Sequence, residues 1–232
     1  MVTAVTTLAV LQPGYLPWLG YFDQVTQADY FVHYDDVPFD KHGWRNRNRV
    51  KALNGPVWLT VPVLHSGKFG QLINEVRIDP QQNWQRKHLA TIKQMYASAP
   101  YLKDWLPKLT EVIDRKWESL VDLNLAMTDM LLQAFRIETR MLRSSELGIA
   151  GDKNERLLKL CELVGATKYL TGDAARDYLD IGLFSDHGIE VRWHGYTHPI
   201  YPQLHGEFVS HLSALDLLLN CGGESKVVLK SR

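Results

Sequence analysis

The segment Gln12-Pro13-Gly14-Tyr15-Leu16-Pro17-Trp18 follows a short apolar run and combines an amide with two flat rings. Gln12 can orient a ligand through a bidentate amide contact. Tyr15 and Trp18 offer surfaces for a ring or a sugar face. The plainer reading is a proline-rich turn with two core aromatics. Asp35-Asp36 follows a second apolar run. Paired carboxylates can bind a metal, hold a sugar hydroxyl or act as a base, and Asp36 is the candidate base here. Aspartate is also common in turns and caps. The third group is Lys41, His42, Trp44, Arg45, Asn46, Arg47, Asn48, Arg49 and Lys51. Cations interleaved with amides and an indole suit phosphate, carboxylate or pyrophosphate. The alternative is a solvated basic loop.

Two further groups lie later in the chain. Trp84, Lys87 and His88 share a helical stretch, where adjacent Lys87 and His88 diverge by about 100°. His198, in Tyr196-Thr197-His198-Pro199-Ile200-Tyr201-Pro202-Gln203, is the best general base by type, because imidazole titrates near neutrality. The nearby His187, His194, His205 and His211 fit no familiar zinc spacing, so no metal ligands are assigned. Cys161 lies on an apolar helix stripe and Cys221 at a helix end, neither suited to a nucleophile.

The elements that must position these groups predict an α/β fold. Thr7 to Leu11 and Asp29 to Tyr34 read as strands around a helix that opens at Pro17. They form a Rossmann-like βαβ unit of a mixed or mostly parallel sheet. Trp58 to Val63 and Ile73 to Ile78 read as strands, followed by a helical subregion over about 82–136. Asp152 and Glu155 mark a helix start. Lys168 to Thr171 and Ile189 to Trp193 read as strands, and Ser210 as the cap of a last helix ended by Gly222-Gly223. The 232 residues are expected to form a single domain.

Lys and Arg number 26, as do Asp and Glu, and this balance disfavours bulk nucleic-acid binding. No apolar run approaches bilayer length and no signal peptide is evident, so the expected compartment is the cytoplasm.

These motifs resemble the WbqC-like family. The resemblance rests on Gln12 to Trp18, Asp35-Asp36-Val37, Lys41 with Trp44 to Lys51, and Trp58 to Pro62. It extends through Trp84 with Lys87-His88, Tyr96 with Ala99-Pro100, Leu170-Thr171-Gly172 with Tyr178, His198-Pro199 with Tyr201 and Gln203, and Ser213 with Asp216 and Asn220. The family usually has His before the Gln-Pro pair, where this chain has Leu11. The resemblance implies a role in bacterial surface-polysaccharide (O-antigen) or other biosynthesis. The implied activity is acyl or aminoacyl transfer to an amino sugar or related amine, from a coenzyme A or carrier-protein thioester. An acyl carrier protein and a nucleotide sugar are the expected partners. In that reading His198 or Asp36 is the base, Gln12 and Asn48 position the acceptor, and Lys41, Arg47 and Lys51 hold phosphates. Leu16 to Tyr21 is also similar to the phosphate-binding turn of nucleotidyltransferases, without its histidines. Nucleotidyl transfer is therefore one alternative, and a non-catalytic binding protein the other.

Overall fold

The computed structural model describes residues 5–41, 43–64 and 66–230; His42 lies outside them. Strand β1 (Thr7–Leu11), helix α1 (Leu19–Thr26) and strand β2 (Tyr30–His33) form the expected βαβ unit. The two strands pair in parallel, with Leu8 opposite Tyr30 and Leu11 opposite His33. Two antiparallel ribbons follow. One joins β3 (Arg47–Ala52) to β4 (Gly55–Thr60), the other β5 (Val63–Leu64) to β6 (Arg77–Ile78). The helical stretch is α2 (Trp84–Met95), α3 (Leu102–Ile113) and α4 (Leu120–Phe135). The chain then alternates β7 (Arg140–Arg143), α5 (Lys153–Leu163), β8 (Lys168–Thr171), α6 (Ile181–Asp186) and β9 (Glu190–Trp193). It ends in α7 (Ala214–Cys221) and α8 (Ser225–Lys230).

The main sheet has the order β7-β2-β1-β8-β9, and every pairing in it is parallel. Alternating side chains serve opposite faces, so a doubly covered strand is apolar throughout. Leu8, Val10, Val32 and Tyr169 join Leu157, Leu160, Cys161 and Phe184 of α5 and α6 in one buried cluster. Ala9, Phe31 and Leu170 join α1 to α4, α7 and the β3–β4 ribbon in another. Each buried Leu or Phe contributes about 1.5–3 kcal/mol relative to exposure. No helix among the described residues is long and apolar enough to cross a membrane.

Several local readings need correction. Arg47 to Ala52 is a strand, not a basic loop. Asn48 and Val50 point inward, while Arg47 and Arg49 stay partly exposed. Leu53-Asn54 form the hairpin loop and Gly55, at φ 107°, opens β4, so β4 starts before Trp58. Ile73–Glu75 is a 3-10 turn in which the Glu75 carboxylate accepts from the Leu72 N–H. Helix α1 begins at Leu19, after Pro17, with Trp18 at its N-cap. Ser213 rather than Ser210 caps α7, accepting from Leu215 N–H at 3.2 Å. The Asp152 cap is present, accepting from Asn154 and Glu155 N–H, both at 2.9 Å. Asp152→Ala should cost about 1 kcal/mol in urea unfolding. An unchanged midpoint would mean that α5 is held by packing alone.

Candidate functional site

In an open parallel sheet, ligands bind beyond the carboxyl ends of the strands, where neighbouring connections diverge. Here that switch point lies between β1, which continues toward β2, and β8, which continues toward β9 on the other side. A crevice opens there as two chambers. The larger, about 580 Å³, is lined by Tyr34, Lys153, Arg156, Thr171 and Tyr178 among others. The smaller, about 350 Å³, is lined by Trp18, Trp44, Asn48 and His211 among others. Leu11, Gln12 and Arg45 line both.

The loop after β1 is sewn to the segment leading into β3. Tyr15 N–H donates to the Arg45 carbonyl at 3.1 Å. The Arg45 guanidinium donates to the Gln12 carbonyl at 2.9 Å, and the Asn48 amide to the Leu16 carbonyl at 2.7 Å. Asn124 on α4 donates to the Arg45 carbonyl at 2.8 Å. The contact is close enough that a Cβ on Gly14 would lie 2.8 Å from the Trp44 carbonyl oxygen. Leu16 is held at φ 46°, an unusual conformation for a branched residue. Burial lowers the Arg45 pKa, opposed by Asp40, yet a guanidinium stays cationic at any physiological pH.

A family model described as the WbqC-like protein family matches residues 12–228. The chain belongs to the WbqC-like family. A curated Mycobacterium tuberculosis (strain ATCC 25618 / H37Rv) protein, "Uncharacterized protein Rv1507c", is 37% identical over 227 residues, covering 96% of this chain and 97% of that protein. No solved structure matches.

The WbqC-like motifs divide by place in the fold. Gln12, Trp18, Trp44, Asn48 and Tyr178 line the crevice. Asp36 stands behind it, paired with Arg156 and accepting from the Ser144 hydroxyl. Asp35 is fully buried. It accepts from Arg143 and from both N–H and hydroxyl of Ser145, and its own N–H donates to the Ser144 hydroxyl at 3.1 Å. Neither carboxylate is an unengaged base.

Other motif residues are scaffold. Tyr15 is buried against Trp84, ring centroids 6.2 Å apart, and its hydroxyl meets His88 Nδ1 at 3.0 Å. His88 Nε2 faces the Thr60 carbonyl at 3.2 Å, so it carries the proton and Nδ1 accepts from Tyr15. Burial pushes His88 down to about 4, with the Thr60 carbonyl opposing, so the ring is neutral at pH 7. Asn46 donates to the Val61 carbonyl at 2.8 Å. Lys51 points inward, donates to the carbonyls of Gly206 and Glu207, and lines neither chamber. Its N–H meets the Tyr96 hydroxyl at 3.0 Å. Asp216 on α7 then accepts from Tyr96 at 2.6 Å and from Tyr201 and Gln203, each at 2.8 Å.

Arg47 lies over the Trp58 ring at 4.5 Å, on the outer face of the ribbon. Lys41 and Lys87 are exposed and line neither chamber. His198 also lines neither. Its Nδ1 meets the Pro199 carbonyl at 2.9 Å, so Nδ1 carries the proton in the neutral ring. Nε2 is buried without a partner among the described residues. Burial lowers the His198 pKa, the Pro199 carbonyl raises it, and nearby His211 lowers it. The two imidazoles are 5.0 Å apart, and His211 stacks on Trp18 at 5.2 Å.

The Asp36–Lys51 and His198–Gln203 segments therefore meet through scaffold bonds, while His211 supplies the imidazole at the crevice. The sequence placed Arg45 in the basic anion-recognition group without a role of its own, and gave none to Lys153, Arg156 or His211. One signal was legible. Lys153 and Arg156 stand three apart at a capped helix start, hence on one face.

Proposed function

We propose that this WbqC-like protein is a transferase that moves an acyl or aminoacyl group from a thioester to an amine on a sugar or related intermediate. The observation that carries this reading is the pair of unlike chambers meeting at Leu11, Gln12 and Arg45. A two-substrate transfer needs adjoining compartments that bring the reacting atoms together. The smaller chamber, walled by Trp18 and Trp44, suits an acyl group and the slender arm of coenzyme A or a carrier protein. The cationic larger chamber suits a phosphorylated partner.

In this reading the amine nitrogen attacks the thioester carbonyl as the C–N bond forms. Arg45 at the junction donates to the developing oxyanion. The amine proton passes to His211, which lines the smaller chamber. The intermediate collapses, the C–S bond breaks and the leaving thiolate takes the proton. Leu11 stands at the junction where the family usually has histidine, which leaves this role to His211. His198 positions His211, and Asp36 holds Arg156. Direct transfer requires no cysteine. This fits Cys161, whose thiol burial pushes up to about 12, with Glu162 adding to the shift.

The test is mass-spectrometric detection of product from acyl and aminoacyl thioesters offered with amino sugars. His211→Ala should fold and lose about 100-fold in kcat/KM, the usual scale for a general base. His198→Ala should lose less and move the acidic limb of the pH profile. Wild-type turnover in both variants would sink the assignment. Nucleotidyl transfer at the same crevice draws support from its cations. It would have Asp35 and Asp36 hold Mg²⁺, and both already carry arginine partners.

A further inference from the structure

The chain has as many acidic as basic residues, yet the larger chamber does not share that balance. Arg45, Lys153 and Arg156 line it, and among the described residues no Asp or Glu does. Asp36 offsets Arg156 from behind, leaving a local excess of positive charge. Two of the cations stack on aromatic rings. The Arg156 guanidinium lies 4.9 Å above Tyr34, and Lys153 Nζ lies 3.0 Å above Tyr178. A guanidinium held flat on a ring still presents N–H groups at its edge to an oxyanion. Both Arg45 and Arg156 also keep a buried Nε with no acceptor among the described residues. The three cationic residues line one chamber of about 580 Å³, within the range of small-ligand and cofactor pockets.

We infer that the larger chamber binds a nucleoside diphosphate ester, its phosphates held by Arg156 and Lys153, with Arg45 left at the junction for the reacting carbonyl. This assignment rests on the transferase reading for its place in a reaction, and it names the substrate class. The phosphates run from the tyrosine-backed cations toward Arg45, and the esterified group reaches Gln12 at the junction. Asp36 holds Arg156 through its carbonyl and carboxylate, so the guanidinium is oriented before the ligand arrives. Two molecules carry this chemistry: a nucleotide-activated sugar, which would be the acceptor, and coenzyme A, which would be the donor.

The test is calorimetric titration of the full chain with uridine diphosphate, adenosine diphosphate and coenzyme A, with inorganic phosphate as reference. At least one diphosphate should bind more tightly than phosphate and weaken with added salt. Lys153 is exposed, so Lys153→Glu should fold as wild type. It should weaken binding about tenfold or more, equivalent to about 1.4 kcal/mol. Lys103→Glu, on α3, should bind as wild type. Preference for uridine or adenosine diphosphate over coenzyme A gives the chamber to the acceptor, and the reverse gives it to the donor. Absence of diphosphate binding, or binding indifferent to Lys153→Glu, overturns the inference. Charge-sensitive binding without transfer from any thioester sinks the transferase reading and leaves the site standing. Transfer that ignores Lys153→Glu does the opposite.

Discussion

Arg45→Met is expected to lower transfer by at least about 100-fold, a loss of about 2.7 kcal/mol in transition-state stabilisation, while the protein stays folded. Arg45 lines both chambers and donates to the Gln12 carbonyl at 2.9 Å. Removing it takes the cation from the junction and frees the loop that carries Gln12. A displacement of about 1 Å in such a loop is enough for a loss of this size. The fold should tolerate the change, because an apolar side chain of similar length avoids the desolvation cost of a buried guanidinium. The backbone bonds through the Arg45 carbonyl remain. Arg45→Lys, which keeps charge without the planar fork, should fall between the two. Wild-type kinetics in Arg45→Met would show that the junction does not hold the reacting atoms. Melting curves for all three proteins separate that outcome from unfolding.

The largest stability loss is expected from Asp35→Ala, about 3–5 kcal/mol in urea unfolding, the range for stranding one member of a buried ion pair. Asp35 joins the end of β2 to the end of β7 through Arg143, Ser144 and Ser145. Burial alone would raise its carboxyl. The hydrogen bonds from Arg143 and Ser145 outweigh burial and hold it below the usual value of 3.8. The unfolded chain therefore takes up this proton first as acid is added. The stabilisation is complete above about pH 4 and is lost as pH falls through the lowered value of the folded protein. Asp35→Asn should remove that acid-sensitive part. A loss under about 1 kcal/mol for Asp35→Ala, well short of the buried-pair range, would show that β7 is held by strand pairing alone.

The legible parts of the fold were those whose local chemistry agrees with the tertiary structure. The apolar strands β1 and β8 bury side chains on both faces, and the Asp152 cap needs only its own helix. Strand β7 was not legible. It is an edge strand reading Arg-Met-Leu-Arg, with Arg140 exposed and the other three residues partly buried. Strand β3 was obscured because Arg47, Asn48 and Arg49 open it, although Gly55 stands just past its turn. At the site, residue type was a poor guide to orientation. Lys51, His88, Tyr201 and Gln203 carry reactive or polar groups, but each is bound within the scaffold. Lys153 and Arg156 belong to a helix that reaches the crevice only when β8 pairs with β1, a contact that spacing along the chain does not encode.

Asp216 gathers donors from Tyr96, Tyr201 and Gln203, and the same network adjoins Lys51, whose N–H meets the Tyr96 hydroxyl. During synthesis the ribosome delivers Lys51 and Tyr96 long before Asp216. At about 5–20 residues per second, the Tyr96 hydroxyl waits several seconds or more for Asp216, and the Lys51 ammonium for the carbonyls of Gly206 and Glu207. The strands and helices made first can associate, but the centre of the molecule closes only when α7 arrives. A chain terminated before Asp216 would keep nearly all of its apolar surface and lack the group that locks it. Such fragments are the ones that chaperones and proteases would be expected to intercept.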